Sequence, residues 1–396
     1  MKPISYGQVF TPHWLVEQML ALQKNVGRVL EPSCGSGAFS NHLATSDRDL
    51  VALELDPLHA PANAVVQDFF DLPLTERFAT IIGNPPYVRY QDILVETKQK
   101  LDGTLFDRRT NLYLFFIEKS IRHLDHGGEL IFVVPRDFPR ATSAKRLNKL
   151  IFEAGTITDF WETGDSHVFN GATPPCCVFR FEKGRMNREM SDARVFDEHA
   201  GHLFFRQPGA QGVPLSFFFD VSVGGLSGAD HLFTSDEGNI EVVCSQTART
   251  GLTRKMLYGT KAMVSLAQHK PALLNRRVRR FSEINWWEWG RKWKDTSMPR
   301  IYVNAKTREK RPFFTHTCHA YDGSVLALFP KNAAINVELA VHVLNSLDWN
   351  DLGFMAGKRF IFAQQSLAHA MIPESVATEL FAPAELPNVL TNQVEA

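Results

Sequence analysis

The chain has 396 residues, 44% of them hydrophobic, with 43 basic against 43 acidic side chains, so its formal net charge is zero. A chain of this length and apolar content supports about two domains and is not disordered. It has no run of 18 apolar residues that would span a membrane. The start, Met1 to Gln8, lacks the apolar h-region of a signal peptide. The five cysteines show no CxxC spacing, which speaks against a disulfide scaffold or a structural metal site. A soluble cytoplasmic protein is expected.

In chain order, the apolar residues of His13–Lys24 predict a helix, and the runs 28–32, 50–55, 64–67 and 79–83 predict strands. A second helix is expected over Leu112–Leu124, stopped by Gly127-Gly128, before a strand over Glu129–Val134. Such alternation predicts an α/β fold with a doubly wound, mostly parallel sheet. Thr156–Glu162 and Cys176–Phe181 read as a closing strand pair. The rhythm is lost after Glu182-Lys183-Gly184-Arg185, so one domain is expected over 1–185 and a second, mixed α+β domain over 186–396.

Charge is neutral only on average. Residues 249–311 hold 17 basic and 4 acidic side chains, a local charge of +13 against −13 for the rest. This asymmetry points to a polyanionic partner. Trp286, Trp287, Trp289 and Trp293 lie among the charges, where they suit either base stacking or an amphipathic core. Arg276, Arg277, Arg279 and Arg280 are the candidate contacts to nucleic acid.

The strand ends carry the chemistry. The first runs into Glu31-Pro32-Ser33-Cys34-Gly35-Ser36-Gly37, a glycine turn that lets a ligand approach the backbone. The second ends in Glu54-Leu55-Asp56, where a carboxylate can accept both hydroxyls of a ribose. The third ends in Asp68-Phe69-Phe70, an acceptor for an adenine amino group beside a stacking aromatic. The spacing Gly-x-Gly-x-x-Gly is absent, which disfavours NAD; a generic nucleotide site or plain strand-end caps remain open. The fourth strand ends in Asn84-Pro85-Pro86-Tyr87. Two prolines fix the backbone and donate no N–H. The Asn84 carboxamide and the Pro85 carbonyl can then converge on one NH₂ group, with the face of Tyr87 beside it. The same tetrapeptide also makes an ordinary turn. Asp92, Glu96 and Lys98 have the Glu-x-Lys spacing of nucleases but lack the preceding Pro-Asp, and suit a polar helix equally.

The order of these pieces resembles the gamma-class (TaqI-type) S-adenosylmethionine-dependent DNA adenine-N6 methyltransferases over most of residues 4–185. The resemblance implies a Rossmann-like methyltransferase sheet and S-adenosylmethionine as cofactor. It implies a cofactor site built from Phe10, Thr11, Pro12, Glu31, Pro32, Cys34, Gly35, Gly37, Glu54, Leu55, Asp68, Phe69, Asn84, Pro86 and Phe116. It implies a catalytic loop of Asn84, Pro85, Pro86 and Tyr87, with Tyr87 and Phe169 against a flipped base. Two departures are Cys34, where the family often has another small residue, and the Asn170–Pro175 continuation after Phe169. Val223–Asp230 and Trp286–Arg291 resemble pieces of the family's target-recognition domain. The expected partner is double-stranded DNA, with a cognate restriction endonuclease as a functional companion. The protein is expected to act as a monomer, away from membranes and without metal. A protein glutamine-N5 methyltransferase, an RNA methyltransferase and a non-catalytic specificity subunit are the alternatives.

Overall fold

The computed structural model describes residues 11–44, 49–106, 110–163, 175–208, 212–356 and 359–380. The chain divides into two compact units, Met1–Pro208 and Gly209–Ala396.

The first unit is a seven-stranded sheet. Its strands are β1 (Val29–Glu31), β2 (Leu50–Glu54), β3 (Val65–Val66), β4 (Phe78–Gly83), β5 (Leu124–Pro135), β6 (Gly155–Glu162) and β7 (Cys176–Lys183), in spatial order β3-β2-β1-β4-β5-β7-β6. The first five pair in parallel, and β7 inserts antiparallel between β5 and β6. The expected doubly wound α/β sheet with a closing strand pair is therefore present. Parallel strands covered on both faces need apolar side chains in both directions, and β5 supplies them. Leu130, Phe132 and Val134 enter one core, while Ile131 and Val133 enter the other.

The helices α1 (His13–Ala21), α2 (Ser40–Leu43), α3 (Val95–Lys100), α4 (Leu112–His123) and α5 (Lys145–Ala154) pack around this sheet. Leu15 and Met19 of α1 join the second core, and Ile117 and Ile121 of α4 the first. Asn111 caps α4, its side chain accepting the Tyr113 N–H at 3.4 Å. The Gly127-Gly128 stop was expected between α4 and its strand. Pairing instead begins directly at Leu124, and the glycines lie in an irregularity of register between Phe78 and Thr80. α5 ends at Gly155, where a Cβ would lie 2.1 Å from the Glu182 carbonyl oxygen.

The expected boundary near 185 is corrected to Pro208. A hairpin of β8 (Val195–His199) and β9 (His202–Arg206) follows the charged break and returns to the sheet. Phe196 and Leu203 are buried in the first core, and Phe205 stacks on Phe160 at 4.2 Å.

The second unit is built on an antiparallel sheet of Phe219–Val223, Val325–Pro330, Ile301–Asn304 and Phe313–Phe314, in that spatial order. Its side chains alternate cleanly. Ile301, Val303, Leu326 and Leu328 enter a core with the helix Val337–Ser346, and Tyr302, Val325, Ala327 and Phe329 enter another with three tryptophans. Among the described residues no helix is long and apolar enough to cross a membrane.

One buried charge cluster ties the catalytic sheet together. Glu129 on β5 accepts from Arg180 Nε of β7 at 2.6 Å, from Thr80 Oγ1 of β4 at 2.9 Å and from the Asn25 backbone N–H at 2.8 Å. Both partners of the ion pair are essentially inaccessible to water. Removing one strands the other without compensation, at about 3–5 kcal/mol. Arg180→Met is accordingly expected to destabilise the protein by about that amount. Denaturant titration should show a markedly lower midpoint, and an unchanged one would refute the cluster's role.

Candidate cofactor and catalytic site

The sheet gathers the carboxyl ends of β1, β2, β3 and β4 at one edge, where open α/β sheets bind ligands. Around them lies a cleft. Of the cofactor residues expected from sequence, Thr11, Glu31, Pro32, Cys34, Gly35, Glu54, Leu55, Asp68, Phe69, Asn84, Pro86 and Phe116 all line it. Pro85 lines it too. Pro12 and Gly37 do not border the cleft: Pro12 starts α1, and Gly37 belongs to the turn behind Gly35. Phe10 and Phe169 fall outside the described residues.

Glu54 is buried, and its two carboxylate oxygens accept the Gly35 N–H at 2.7 Å and the Asp56 N–H at 3.0 Å. A carboxylate offers about four lone-pair sites, so these bonds fix the group without exhausting it. Gly35 has φ +54°, and a Cβ there would meet nothing within 4 Å. Its lack of a side chain thus leaves the backbone open to the cleft. Glu31 is buried and accepts the Ser40 N–H at 2.8 Å. Burial outweighs that bond and pushes its pKa up to about 8. The Cys34 thiol is pushed up to about 12 by burial and then by Glu31 and Glu54, so it is neutral and fills space.

Asp68 is more heavily engaged than the sequence suggested. One oxygen accepts the Phe70 N–H at 3.0 Å, while the other takes Thr97 Oγ1 at 2.8 Å and Lys100 Nζ at 3.1 Å. Those two donors tie α3 to the end of β3. Phe69, Phe70 and Phe116 form an aromatic cluster, with Phe69 and Phe116 centroids 5.0 Å apart and Phe70 edge-on to Phe116 at 5.2 Å. Sequence reasoning missed Lys119. Its ammonium sits 5.2 Å from the Phe69 ring centre and donates to the Phe70 carbonyl at 2.8 Å. Burial lowers its pKa to about 8. Its place one helical turn beyond Phe116 was the available signal.

Asn84 follows the last residue of β4. Its Nδ2 donates to Thr11 Oγ1 at 3.2 Å, and its backbone carbonyl accepts from Ser33 Oγ at 3.2 Å. A hydroxyl both donates and accepts. The Thr11 hydroxyl here accepts from Nδ2, which leaves the carboxamide oxygen on the side away from that contact. Tyr87 is half-buried and does not border the cofactor cleft. Its hydroxyl donates to the Val133 carbonyl of β5 at 2.9 Å, and its ring meets Tyr113 edge-on at 6.0 Å. Burial raises its phenol pKa strongly, so the ring is a neutral, fixed surface.

The basic window requires corrections. Arg276 is buried; its guanidinium donates to the carbonyls of Leu273, Ser227, Trp286 and Glu288 and lies 3.8 Å over the Phe281 ring. It is a structural cross-link, not a surface contact to nucleic acid. Trp286, Trp289 and Trp293 are buried core residues, and Trp289 Nε1 donates to the Leu257 carbonyl at 3.2 Å. Arg277, Arg279 and Arg280 are exposed, with Arg279 paired to Glu288 at 2.6 Å. Among the described residues no group of three or more His, Cys, Asp or Glu side chains could hold a metal.

Residues 41–169 match the Eco57I restriction-modification methylase family. The type II methyltransferase M.HincII of Haemophilus influenzae is 34% identical over 197 residues, 46% of this chain and 38% of that protein. M.TthHB8I of Thermus thermophilus is 37% identical over 209 residues, 48% of each. The chain thus spans less than half the length of these relatives. The type IIG restriction endonuclease BpuSI superposes at a TM-score of 0.39 and 12% identity over 94% of this chain and 58% of that one, too loosely to add to what the sheet itself shows. The cofactor of such a methylase is S-adenosylmethionine, and the cleft fits it: an anchored carboxylate, an open glycine backbone and an aromatic cluster surround it. Over residues 41–169, then, the chain matches an Eco57I-type restriction-modification methylase domain.

Proposed function

We propose that the protein transfers a methyl group from S-adenosylmethionine to the exocyclic N6 of adenine in duplex DNA, as the modification methylase of a restriction-modification system. One observation carries this reading. Asn84, Pro85 and Pro86 line the same cleft as Glu54 and the Gly35 turn, so an amino-binding loop adjoins a nucleoside-binding pocket. The similarity to type II methyltransferases supports DNA over a protein glutamine as acceptor.

S-adenosylmethionine, when bound, supplies a methyl group on a positively charged sulfur, which leaves neutral. The protein's task is the acceptor nitrogen, whose lone pair is delocalised into the purine ring. The Asn84 carboxamide oxygen and the Pro85 carbonyl accept its two N–H bonds and favour a more tetrahedral nitrogen. Lone-pair density then points along the line of attack. This is positioning and fixed electrostatics, without covalent catalysis. The target must leave the stack, at a few kcal/mol. Stacking on Tyr87 offsets about 1–3 kcal/mol of that, and the bond to Val133 holds the ring for it.

The direct test is incubation with labelled methyl donor and duplex DNA, followed by digestion to nucleosides. Label in N6-methyladenine supports the reading, and label in cytosine or none refutes it. Asn84→Ala is expected to lose at least about 100-fold in turnover, by analogy with deleting one preorganised transition-state contact. Donor binding should change little, so near-normal turnover would exclude Asn84 from the chemistry.

Glu54→Ala is expected to weaken donor binding by about 1.5–3 kcal/mol, the worth of hydrogen bonds to a charged group. Calorimetry checks this, and an unaltered affinity would move the ribose contact elsewhere. Glu31 sets a pH dependence. Below about 8 it is mainly protonated in the ligand-free protein. A cationic ligand favours its ionised form. Binding should therefore expel a proton, and affinity should rise as pH climbs through that value. Calorimetry at neutral pH in buffers of different ionisation enthalpy should show the release, and Glu31→Gln should abolish it.

A further inference from the structure

The second unit contains a cleft to which three chain segments contribute: 245–249, 304–309 and Arg359. Four cations line it, Arg249, Lys306, Arg308 and Arg359, against one acid, Glu309. All four are exposed. Among the described residues none has an ion pair or a side-chain hydrogen bond.

Cations elsewhere in the same window are treated differently. Arg254 pairs with Asp322, Lys270 with Glu283, Arg279 with Glu288 and Lys294 with Asp220, while Arg276 and Arg300 are spent on backbone carbonyls. Other exposed cations of the window, Arg277 and Arg280 among them, also make no ion pair among the described residues, but they do not line this cleft.

The backbone enforces that convergence. Lys306 pairs with Ile361 and Thr307 with Phe360 in an antiparallel ladder. Continuing that register by one residue sets Arg308 opposite Arg359, an arrangement that destabilises a strand pair. Asn304, buried at the foot of the cleft, donates to the Ser245 carbonyl at 2.8 Å and so fixes the 245–249 segment against the same strand. A concave cluster of like charges is an anion site.

We propose that this cleft, rather than the Arg276–Arg280 run, is where the second unit grips the phosphodiester backbone of duplex DNA. The inference rests on the DNA-modifying role proposed above. Contacts of this kind set position and register, not sequence.

The test is a salt titration of duplex binding by the full chain, with two duplexes of unrelated sequence. Each phosphate neutralised contributes about −0.9 to the slope of log K against log salt. The double variant Lys306→Gln/Arg308→Gln should bind both duplexes more weakly to the same degree, with a slope shallower by about 1.8. Its melting temperature should be no lower than that of wild type, since both side chains are exposed and their repulsion is relieved. The control Arg277→Gln/Arg280→Gln should leave the slope within about half a unit of wild type. An unchanged slope in the cleft variant overturns the proposal, and so does an equal loss in the control. A wild-type chain that binds no duplex at low salt removes the DNA-acting role itself, and the proposal with it.

Discussion

The Glu54 carboxylate, held by two backbone N–H groups, is the constraint on which the cofactor site depends. The bond from Gly35 joins the turn after β1 to the end of β2, and the bond from Asp56 stops the side chain from swinging out. Ligand groups thus meet an acceptor already oriented, at no cost of ordering it on binding. The remaining contacts share this character. Asp68 is tied to α3, Asn84 to Thr11, and Tyr87 to β5. The cleft is built from side chains each held by a second element of the sheet unit.

Electrostatics inside the cleft follow from the same burial. Glu31 and Glu54 lie near each other with little water, and Glu31 yields by holding its proton. The hydrogen bonds that Glu31 accepts from Ser40 and Phe39 do not overcome its desolvation. Glu31 ends β1 beside the end of β2, and its raised value follows from its burial there. A cationic ligand supplies charge that favours the ionised form of Glu31.

Much of the catalytic unit was legible in the sequence because its signals are local. Short β-branched runs, a glycine turn and Asn-Pro-Pro-Tyr each act within a few residues of where they stand. Twelve of the expected cofactor residues border one cleft because strand ends in a parallel sheet converge by topology. Three features resisted reading because their cause is tertiary. The β8–β9 hairpin follows a charged break, and only its packing of Phe196 and Phe205 on β6 and α5 assigns it to the first unit. Lys119 looks like any helix-surface lysine until the aromatic cluster is assembled beneath it. Arg276 sits in a run of four arginines, and nothing in that run tells which guanidinium turns inward to meet four carbonyls.

That last case separates two uses of positive charge which a composition window merges. Buried Arg276 and Arg300 spend their donors on backbone carbonyls, a role Arg performs because its planar fork makes several bonds at once. Burial lowers the Arg276 pKa to about 10, yet that value still keeps it charged near neutrality. Its charge is therefore retained but inaccessible, and it adds little to any short-range contact at the surface. The tryptophans make the same point for aromatics, since three of four close a core. The net +13 of the window consequently overstates the charge available to a partner. What a polyanion meets is the subset left exposed and unpaired. Part of that subset, Lys306 and Arg308 with Arg249 beside them, lines one cleft of the second unit, where an external anion would relieve their mutual repulsion.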